Sequence, residues 1–387
     1  MRKFESVAAL LTILSLILAW VIGNQRHQYD VESALTKAFP EATDLGTISP
    51  QIYLMESNKG GHSEKRYISI GSGYGYGGPL SAALVYDIDC RIQSVTVLEH
   101  KETVPFFGKL ERGKFTESFV GKNCLAPFFE GEDVDAVSGA TLSSNALTAA
   151  VRVSSHRIAR EVFGLAPPKQ EGLNVEVGLK EASLIILFIV SLLLFGLRFR
   201  FKRHVRWLAL FMSILVLGFG YTTLLTVGNV GAFLLGYWPG WKTHLYWYLL
   251  LAIVFVPLML RGKHFYCGSI CPFGAVQECL GALGGAKRRV PHRIHDHLRW
   301  LPRVLAWIFV FIVLLSQNPG IQTHEVFGTF FQLTGTTGQF LLMAAVLIAA
   351  LFITRPWCSY LCPVRGVTDF VTFVGSALKG SGEASSE

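Results

Sequence analysis

The sequence alternates between long apolar blocks and polar segments, which divides it into a membrane part and a soluble part. Six blocks are apolar almost throughout, with charges confined to their ends apart from Arg303. A helix needs about 17–25 apolar residues to cross a bilayer core, and several blocks are slightly shorter. Flanking Trp, Tyr, Lys and Arg can anchor their ends. We therefore predict six spanning helices, over residues 7–23, 182–197, 207–227, 245–260, 301–315 and 340–353.

The segment 24–170 has the length of one soluble domain and a mixed pattern. A helical stretch, DVESALTKAFPEA, precedes the strand-like runs KRYISIGS, SAALVYDID and IQSVTVLEH. The last two runs predict a hairpin that turns near Cys90. After Thr141, apolar residues recur at helical spacing, at Leu147, Val151, Ile158 and Val162. The predicted fold class is an α+β domain joined to an all-α six-helix transmembrane module.

Basic residues predict which helix ends lie in the cytoplasm. Lys and Arg crowd the N-terminus and the links 198–206 and 261–299, whereas the other two links between membrane blocks contain a single Lys. Both termini are therefore predicted to be cytoplasmic, with the segment 24–181 outside the cytoplasm. The net charge of +8 comes from the cytoplasmic links, and no nucleic-acid-binding motif accompanies it.

Domain boundaries follow from this topology. We predict an N-terminal anchor over 1–23, an extracytoplasmic domain over 24–170, a linker over 171–181, a five-helix membrane module over 182–366 and a cytoplasmic tail over 367–387. The first block could instead be a signal peptide, because the basic stretch MRK precedes it. Its length and the lack of a clear small-x-small cleavage site favour an uncleaved anchor.

The stretch DAVSGATLSS, residues 135–144, has two interpretations. Asp135 or Ser138 could cap the following helix, with Gly139 turning the chain. Alternatively, the free N–H groups and the dipole at a helix start favour a phosphate. The Thr141 hydroxyl could then carry a phosphoester among those groups, and Gly139 and Ala140 would leave room for a bulky substituent.

The same stretch resembles the flavinylation motif of the FMN-binding domain shared by NosR and by the RnfG and NqrC subunits of membrane redox complexes. The resemblance implies FMN bound covalently through its phosphate to Thr141, attached by a flavin transferase outside the cytoplasm. The surrounding motif residues are Asp135, Ser138, Gly139, Ala140 and Ser144.

The stretch GYGYGGPLSAALVYDIDCRIQSVTVLEHKET is similar to the glycine-rich turn, hairpin and His-x-Glu-Thr segment of that family. This chain departs from the family pattern by placing Val104 before Pro105. The resemblance implies further flavin contacts from Gly77, Gly78, His100, Glu102 and Thr103.

Two Cys-x-x-x-Cys-Pro motifs follow the fourth and sixth blocks, with their thiols at Cys267, Cys271, Cys358 and Cys362. Both are predicted to face the reducing cytoplasm, where disulfides are rare. Neither motif alone supplies the four thiolates of an iron–sulfur cluster or a zinc site. We therefore expect the motifs to pool their ligands, and the alternative is that the cysteines merely pack at helix ends.

These motifs look like the paired motifs in the membrane part of NosR/NirI proteins, which supports an iron–sulfur site. NosR carries a further ferredoxin domain after the second motif, and the 387 residues contain none. The architecture therefore most resembles the membrane flavoproteins encoded with reductive dehalogenases, the PceC type.

Four other residues have weaker signals. Cys90 and Cys124 could pair outside the cytoplasm, but the sequence cannot place them within bonding distance, so we do not predict a disulfide. His244 and His324 lie near the outer ends of membrane blocks. They could face a quinone or a haem, and we expect ordinary interface contacts instead.

The sequence therefore predicts a membrane-bound flavoprotein that transfers electrons across or from the membrane to an extracytoplasmic redox enzyme. Menaquinol or ubiquinol is the candidate donor, and membrane lipid and a flavin transferase are further partners. No acid–base pair for substrate turnover is visible, so we do not predict a self-contained enzyme. Two other functions remain open: a redox-responsive regulator of gene expression and a maturation factor for an exported metalloenzyme.

Overall fold

A computed structural model describes residues 2–26, 31–40, 44–59, 62–75, 77–102, 104–129, 133–135, 137, 140–168, 177–196, 200–222, 224–242, 244–262, 264–286, 298–321 and 326–383. The first helix, α1 (Arg2–Arg26), contains the first apolar block, and the short helix α2 (Val31–Ala38) follows it. Residues 171–176 of the predicted linker lie outside the described residues, and so does His324.

The soluble segment is built on one antiparallel sheet. Its strands are adjacent in chain order: β1 (Asp44–Ser49), β2 (Ile52–Lys59), β3 (His62–Tyr74), β4 (Pro79–Tyr86) and β5 (Ile92–His100). The predicted runs correspond to β3, β4 and β5, and the β4–β5 turn contains Cys90 with a φ of 57°. The sequence analysis did not predict β1 and β2, because their apolar runs are short and end in polar residues.

Two helices complete the α+β domain, α3 (Val104–Arg112) and α4 (Thr141–Glu161). Helix α4 lies across β3, where the two backbones nearly touch. A Cβ at Gly71 would lie 1.8 Å from the Ala150 carbonyl oxygen, and one at Gly73 would lie 1.9 Å from that of Ala146. The glycines of β3 thus let the helix approach the sheet, and the predicted apolar face of α4 is buried at Leu147, Val151 and Ile158.

A disulfide joins Cys90 to Cys124 across 34 residues of chain. Our expectation that these cysteines stay unpaired is therefore wrong. The β4–β5 turn and the segment after α3 come together because Cys124 donates its backbone N–H to the Cys90 carbonyl at 2.8 Å. This contact is tertiary, so no local pattern predicts it.

The rest of the chain is helical. Its helices are α5 (Leu179–Gly196), α6 (Lys202–Met212), α7 (Val227–Leu234), α8 (Leu245–Arg261), α9 (Pro272–Gly284), α10 (Leu301–Ser316), α11 (Phe327–Gln332), α12 (Thr337–Phe352) and α13 (Pro363–Glu383). A π-helical segment, Ser213–Gly220, extends α6. The predicted module boundary at residue 366 falls inside α13.

Within the described part of the chain, three helical stretches are long and apolar enough to cross a membrane: Val7–Arg26, Leu179–Gly196 and Lys202–Gly220. Helices α8, α10 and α12 are apolar but have only 17, 16 and 16 residues. At 1.5 Å per residue they extend about 24–26 Å, less than the roughly 30 Å bilayer core. Length therefore supports three spans, and the six-helix transmembrane module stays a prediction.

The soluble domain touches one end of the helical module. The Tyr74 hydroxyl, at the end of β3, donates to the Tyr237 carbonyl oxygen at 2.6 Å. The Tyr74 ring also meets the ring of His244, the N-cap of α8, edge-on at 5.7 Å. His244 is thus part of an interface between domain and helix, while the other end of α8 leads to Cys267.

Candidate functional site

Thr141 is the first residue of α4 and is exposed. The N-cap is Ala140, and among the described residues no side chain caps the helix. Asp135 is therefore not the cap, and Ser138 and Gly139 lie outside the described residues. An exposed hydroxyl at an uncapped helix start fits a phosphoester, because the first-turn N–H groups can interact with phosphate oxygens.

Ser144 ties the motif to the helix. It is fully buried, and its hydroxyl lies 3.2 Å from the Ala140 carbonyl oxygen and 3.1 Å from that of Thr141. The Val137 backbone N–H donates to the Ser144 hydroxyl at 3.4 Å. Ser144 therefore fixes the chain on both sides of Thr141.

Glu102 connects three parts of the predicted flavin site. The side chain is buried, with 2% exposure, and accepts a hydrogen bond at 2.5 Å from the Ser143 hydroxyl in the first turn of α4. Its other oxygen accepts at 3.1 Å from the Gly77 backbone N–H. Burial raises the pKa of Glu102, and the hydrogen bonds from Ser143 and Gly77 lower it in part. Glu102 therefore holds the glycine-rich turn against the start of α4.

His100 offers a polar atom beside this turn. Its ring stacks on Phe107, with centroids 3.6 Å apart, and its Nδ1 is buried with no hydrogen-bond partner among the described residues. Burial lowers the pKa of His100, so the ring is neutral near pH 7. An orphaned buried nitrogen in this position fits contact with a bound group.

The glycines of the turn have a structural role as well. A Cβ at Gly77 would lie 2.3 Å from the Lys101 carbonyl oxygen, so this position requires glycine for close backbone packing. Flavin contacts from Gly77, Gly78, His100 and Glu102 stay predictions. Thr103 lies outside the described residues.

A loop of the helical module packs directly against the Glu102 segment. A Cβ at Gly320 would lie 2.4 Å from the Lys101 carbonyl oxygen and 2.6 Å from that of Glu102. The ring of Pro319 faces Gly78 in the same contact. The sequence reading missed Gly320, because a lone glycine in a loop has no motif that identifies its partner.

The two cysteine motifs adopt the same local structure. Each ends a π-helical turn, Tyr266–Ile270 or Trp357–Leu361. The backbone N–H of Cys271 donates to Tyr266 and that of Cys362 to Trp357, both at 2.8 Å. The following proline begins a helix in each case, where its missing N–H costs nothing. The sequence repeat is therefore a structural repeat.

The structure brings the two motifs together. A Cβ at Gly274 of α9 would lie 3.5 Å from the Cys267 carbonyl oxygen and 3.6 Å from the Cys358 sulfur, so both motifs border this glycine. Gln277, on α9 after the first motif, donates from Nε2 to the Cys358 sulfur at 3.3 Å and accepts from the Trp357 N–H at 2.9 Å. Gln277 is fully buried, so the glutamine fixes one motif against the other.

Arg355 makes the reciprocal contact. From just before the second motif it donates to the Cys267 carbonyl at 2.6 Å and to that of Gly268 at 3.2 Å. It also pairs with Glu278 of α9. Sequence reasoning missed Gln277, Glu278 and Arg355, because each contacts the motif to which it is not adjacent.

The four thiols are of the type and number that hold an iron–sulfur cluster or a zinc ion. Among the described residues, no three His, Cys, Asp or Glu side chains converge closely enough to hold one metal ion. The Gln277 N–H and the Arg355 charge also match the hydrogen bonds and charges that tune such clusters.

Comparison with known proteins agrees with both parts of the site. The FMN-binding domain family matches residues 75–154, and the 4Fe-4S binding domain family matches residues 243–291 and 337–380. No solved structure matches the chain. The chain therefore contains one region similar to FMN-binding domains and two regions similar to 4Fe-4S binding domains, together with apolar helices.

Three relatives define the family further. Protein NirI of Paracoccus denitrificans is 34% identical over 46% of this chain and 29% of NirI. Regulatory protein NosR of Pseudomonas aeruginosa is 29% identical over 49% of this chain and 29% of NosR. Putative electron transport protein YccM of Escherichia coli is 29% identical over 33% of this chain and 39% of YccM. The chain thus spans less than two fifths of the length of each relative, and it is similar to NosR/NirI-type proteins over the matched part.

Proposed function

We propose that this protein is a membrane electron carrier that delivers electrons to a redox enzyme outside the cytoplasm. FMN supplies one- and two-electron chemistry when it is bound, and an iron–sulfur cluster supplies one-electron chemistry. Thr141 would hold FMN covalently through its phosphate. Cys267, Cys271, Cys358 and Cys362 would hold the cluster.

The observation that carries this proposal is the arrangement along α8. The soluble domain contacts the N-terminal end of α8 at His244, and the thiol motif follows its C-terminal end. The domain that contains Thr141 thus contacts one end of a helix about 26 Å long, and the first thiol motif follows its other end. Gly320 also packs on the backbone of Glu102, so the helical module touches the segment beside Thr141. This arrangement supports transfer between the two sides of a membrane.

The disulfide supports the proposed topology. Disulfides persist in oxidising compartments and are rare in the cytoplasm, so the Cys90–Cys124 pair favours an extracytoplasmic domain. The thiols at the other end of α8 would then face the cytoplasm, as the basic links predict. Six spans with both termini in the cytoplasm satisfy this arrangement, with α8, α10 and α12 as the short spans.

Covalent attachment is tested by mass spectrometry on protein co-expressed with a flavin transferase. We expect a mass increase equal to FMN less one water, with fluorescence in denaturing gels, and loss of both in Thr141→Ala. Thr148→Ala, a buried threonine on the same helix, is the control and should keep both signals. An unmodified Thr141 in the wild type would refute the attachment.

Electron transfer is tested in proteoliposomes that contain quinol and an impermeant oxidant outside. We expect Thr141→Ala and Cys358→Ser each to abolish reduction of the external oxidant, because each removes one predicted cofactor. Equal rates in wild type and both variants would contradict the proposed function.

A regulatory function is the second candidate, because the relative NosR is named a regulatory protein. A deletion strain separates the two functions. A normal transcript with lost activity of the partner enzyme supports electron transfer, whereas a lost transcript supports regulation.

A further inference from the structure

A large apolar cavity, partly open to the outer surface of the helices, lies between α1, α7, α8, α10 and α13. Its volume is about 820 Å³, within the range of roughly 300–1,000 Å³ that is typical of small-molecule sites. Small residues create the space, including Ala8 and Thr12 of α1 and Ala252 of α8. Among the described lining residues, none belongs to the cysteine motifs or to the sheet domain.

One end of this cavity is charged. Arg303 and Asp369 both line it, with the Arg303 Nε 3.8 Å from one carboxylate oxygen of Asp369. The other carboxylate oxygen lies 3.8 Å from the His264 ring, and the Arg303 guanidinium stacks over Trp300 at 4.7 Å. Ionisable groups that face a cavity among membrane helices usually have a function, because isolated charges are costly there.

The charged end lies close to both cysteine motifs along the chain. His264 precedes Cys267 by three residues, and Asp369 is on α13, which begins directly after Cys362. A Cβ at Gly366 of α13 would lie 2.2 Å from the Pro302 carbonyl, so α13 packs tightly on the start of α10. A ligand at this end would therefore lie at the thiol side of the module.

We propose that this cavity binds an isoprenoid quinol, with its head group at Arg303 and Asp369 and its tail along the apolar wall. This inference rests on the proposed electron-transfer function and locates its electron donor. Arg303 would donate to a head-group oxygen, and Asp369 would accept from a hydroquinone hydroxyl. Oxidation of the quinol to the quinone releases two electrons and two protons. The electrons would pass one at a time to the iron–sulfur site, and the protons would pass to water at the charged end.

The charge of the pair favours a quinol over a phospholipid. Asp369 pairs with Arg303, so the lining at the polar end presents both a cation and an anion. A phospholipid head group is anionic at its phosphate and would meet the Asp369 carboxylate. A neutral head group that both donates and accepts hydrogen bonds matches the pair.

Tryptophan fluorescence tests the binding directly. Trp300 and Trp307 line the cavity, and quinones quench tryptophan on contact. We expect decylubiquinone to quench the purified protein in detergent with saturation, and the saturable part to disappear in the double variant Trp300→Phe, Trp307→Phe. Quenching that rises without saturation in the wild type would overturn the proposal.

A cavity-filling variant provides the second test. Ala252→Phe adds a ring from an exposed position on α8 that lines the cavity, so we expect at least a tenfold weaker half-saturation. Ile348→Phe, on the exposed face of α12 and outside the lining, should not change the binding. Asp369→Asn should weaken binding by about tenfold through the loss of a charged acceptor. Equal affinities in all variants would refute the site.

Photolabelling with an azidoquinone guards against a misfolded variant, because it uses the wild type. Labelled peptides should come from α1, α7, α8, α10 or α13, and labels confined to other helices would refute the site. A phospholipid that stays bound in mass spectrometry despite excess quinone would also refute it.

None of these measurements needs FMN, so Thr141→Ala should bind quinone normally. If the binding tests show no quinone in this cavity while electron transfer in proteoliposomes persists, the quinol binds elsewhere and the proposed function stands.

Discussion

Removal of the Cys90–Cys124 disulfide should destabilise the soluble domain strongly. The bond closes a loop with a sequence separation of 34. A loop of that length loses about 12.6 cal/mol/K of entropy in the unfolded chain, which at 25 °C corresponds to about 3.8 kcal/mol. With a urea m-value of about 2 kcal/mol/M, the unfolding midpoint should fall by roughly 2 M.

Pulse proteolysis in urea measures this midpoint on the full chain in detergent. All eight Trp lie outside residues 24–170, so proteolysis reports on the soluble domain more directly than tryptophan fluorescence. Cys90→Ser with Cys124→Ser should show the full shift, and Cys279→Ser, which removes a half-buried free thiol, should show none. The reasoning fails if the double variant keeps the wild-type midpoint, or if both thiols of the wild type react with an alkylating reagent without prior reduction.

Three further predictions concern Glu102, Gly320 and Gln277. Because its pKa is raised, folded Glu102 holds a proton that the unfolded chain has lost, so stability should fall as pH rises from about 4.5 through the raised pKa. Glu102→Gln should flatten this part of the stability–pH curve. The control variant Glu117→Gln, at an exposed side chain, should leave the curve unchanged. Gly320→Ala places a Cβ against two carbonyl oxygens, so it should lower the free energy of unfolding by about 1–3 kcal/mol and speed proteolysis between domain and module. Gly196→Ala, with open space around the new Cβ, should change neither the stability nor the proteolysis. Gln277→Leu removes an N–H···S hydrogen bond of about 1 kcal/mol to Cys358, so the reduction potential of the cluster should fall by about 40 mV. A redox titration monitored by EPR measures this potential, and an unchanged value would exclude the hydrogen bond.

The contact at Gly320 has a consequence for coupling. Lys101 and Glu102 lie between the Pro319–Gly320 loop of the module and the first turn of α4, so we expect a displacement of this loop to alter the start of α4. Loss of the contact should therefore change the flavin environment without a change in the flavin attachment.

Local pattern was sufficient for several parts of this protein. The run IQSVTVLEH is rich in β-branched residues and is predicted as a strand, and β5 has those bounds. The apolar spacing after Thr141 predicts α4 at its observed start. The repeat of Cys-x-x-x-Cys-Pro predicts two equivalent turns, because proline at the first helical position imposes the same geometry on both. These features depend on neighbours within a few residues, so the sequence alone determines them.

Only the tertiary structure decided which distant residues meet. Gln277 contacts Cys358 across 81 positions, and Cys90 bonds to Cys124 across 34. Gly320 contacts Lys101 from the other part of the chain. Periodicity encodes which face of an element is buried but not its partner, because the partner depends on how all the elements pack together. For that reason the cofactor types could be predicted from motifs, whereas the residues that join the two cysteine motifs and link them to the soluble domain could not.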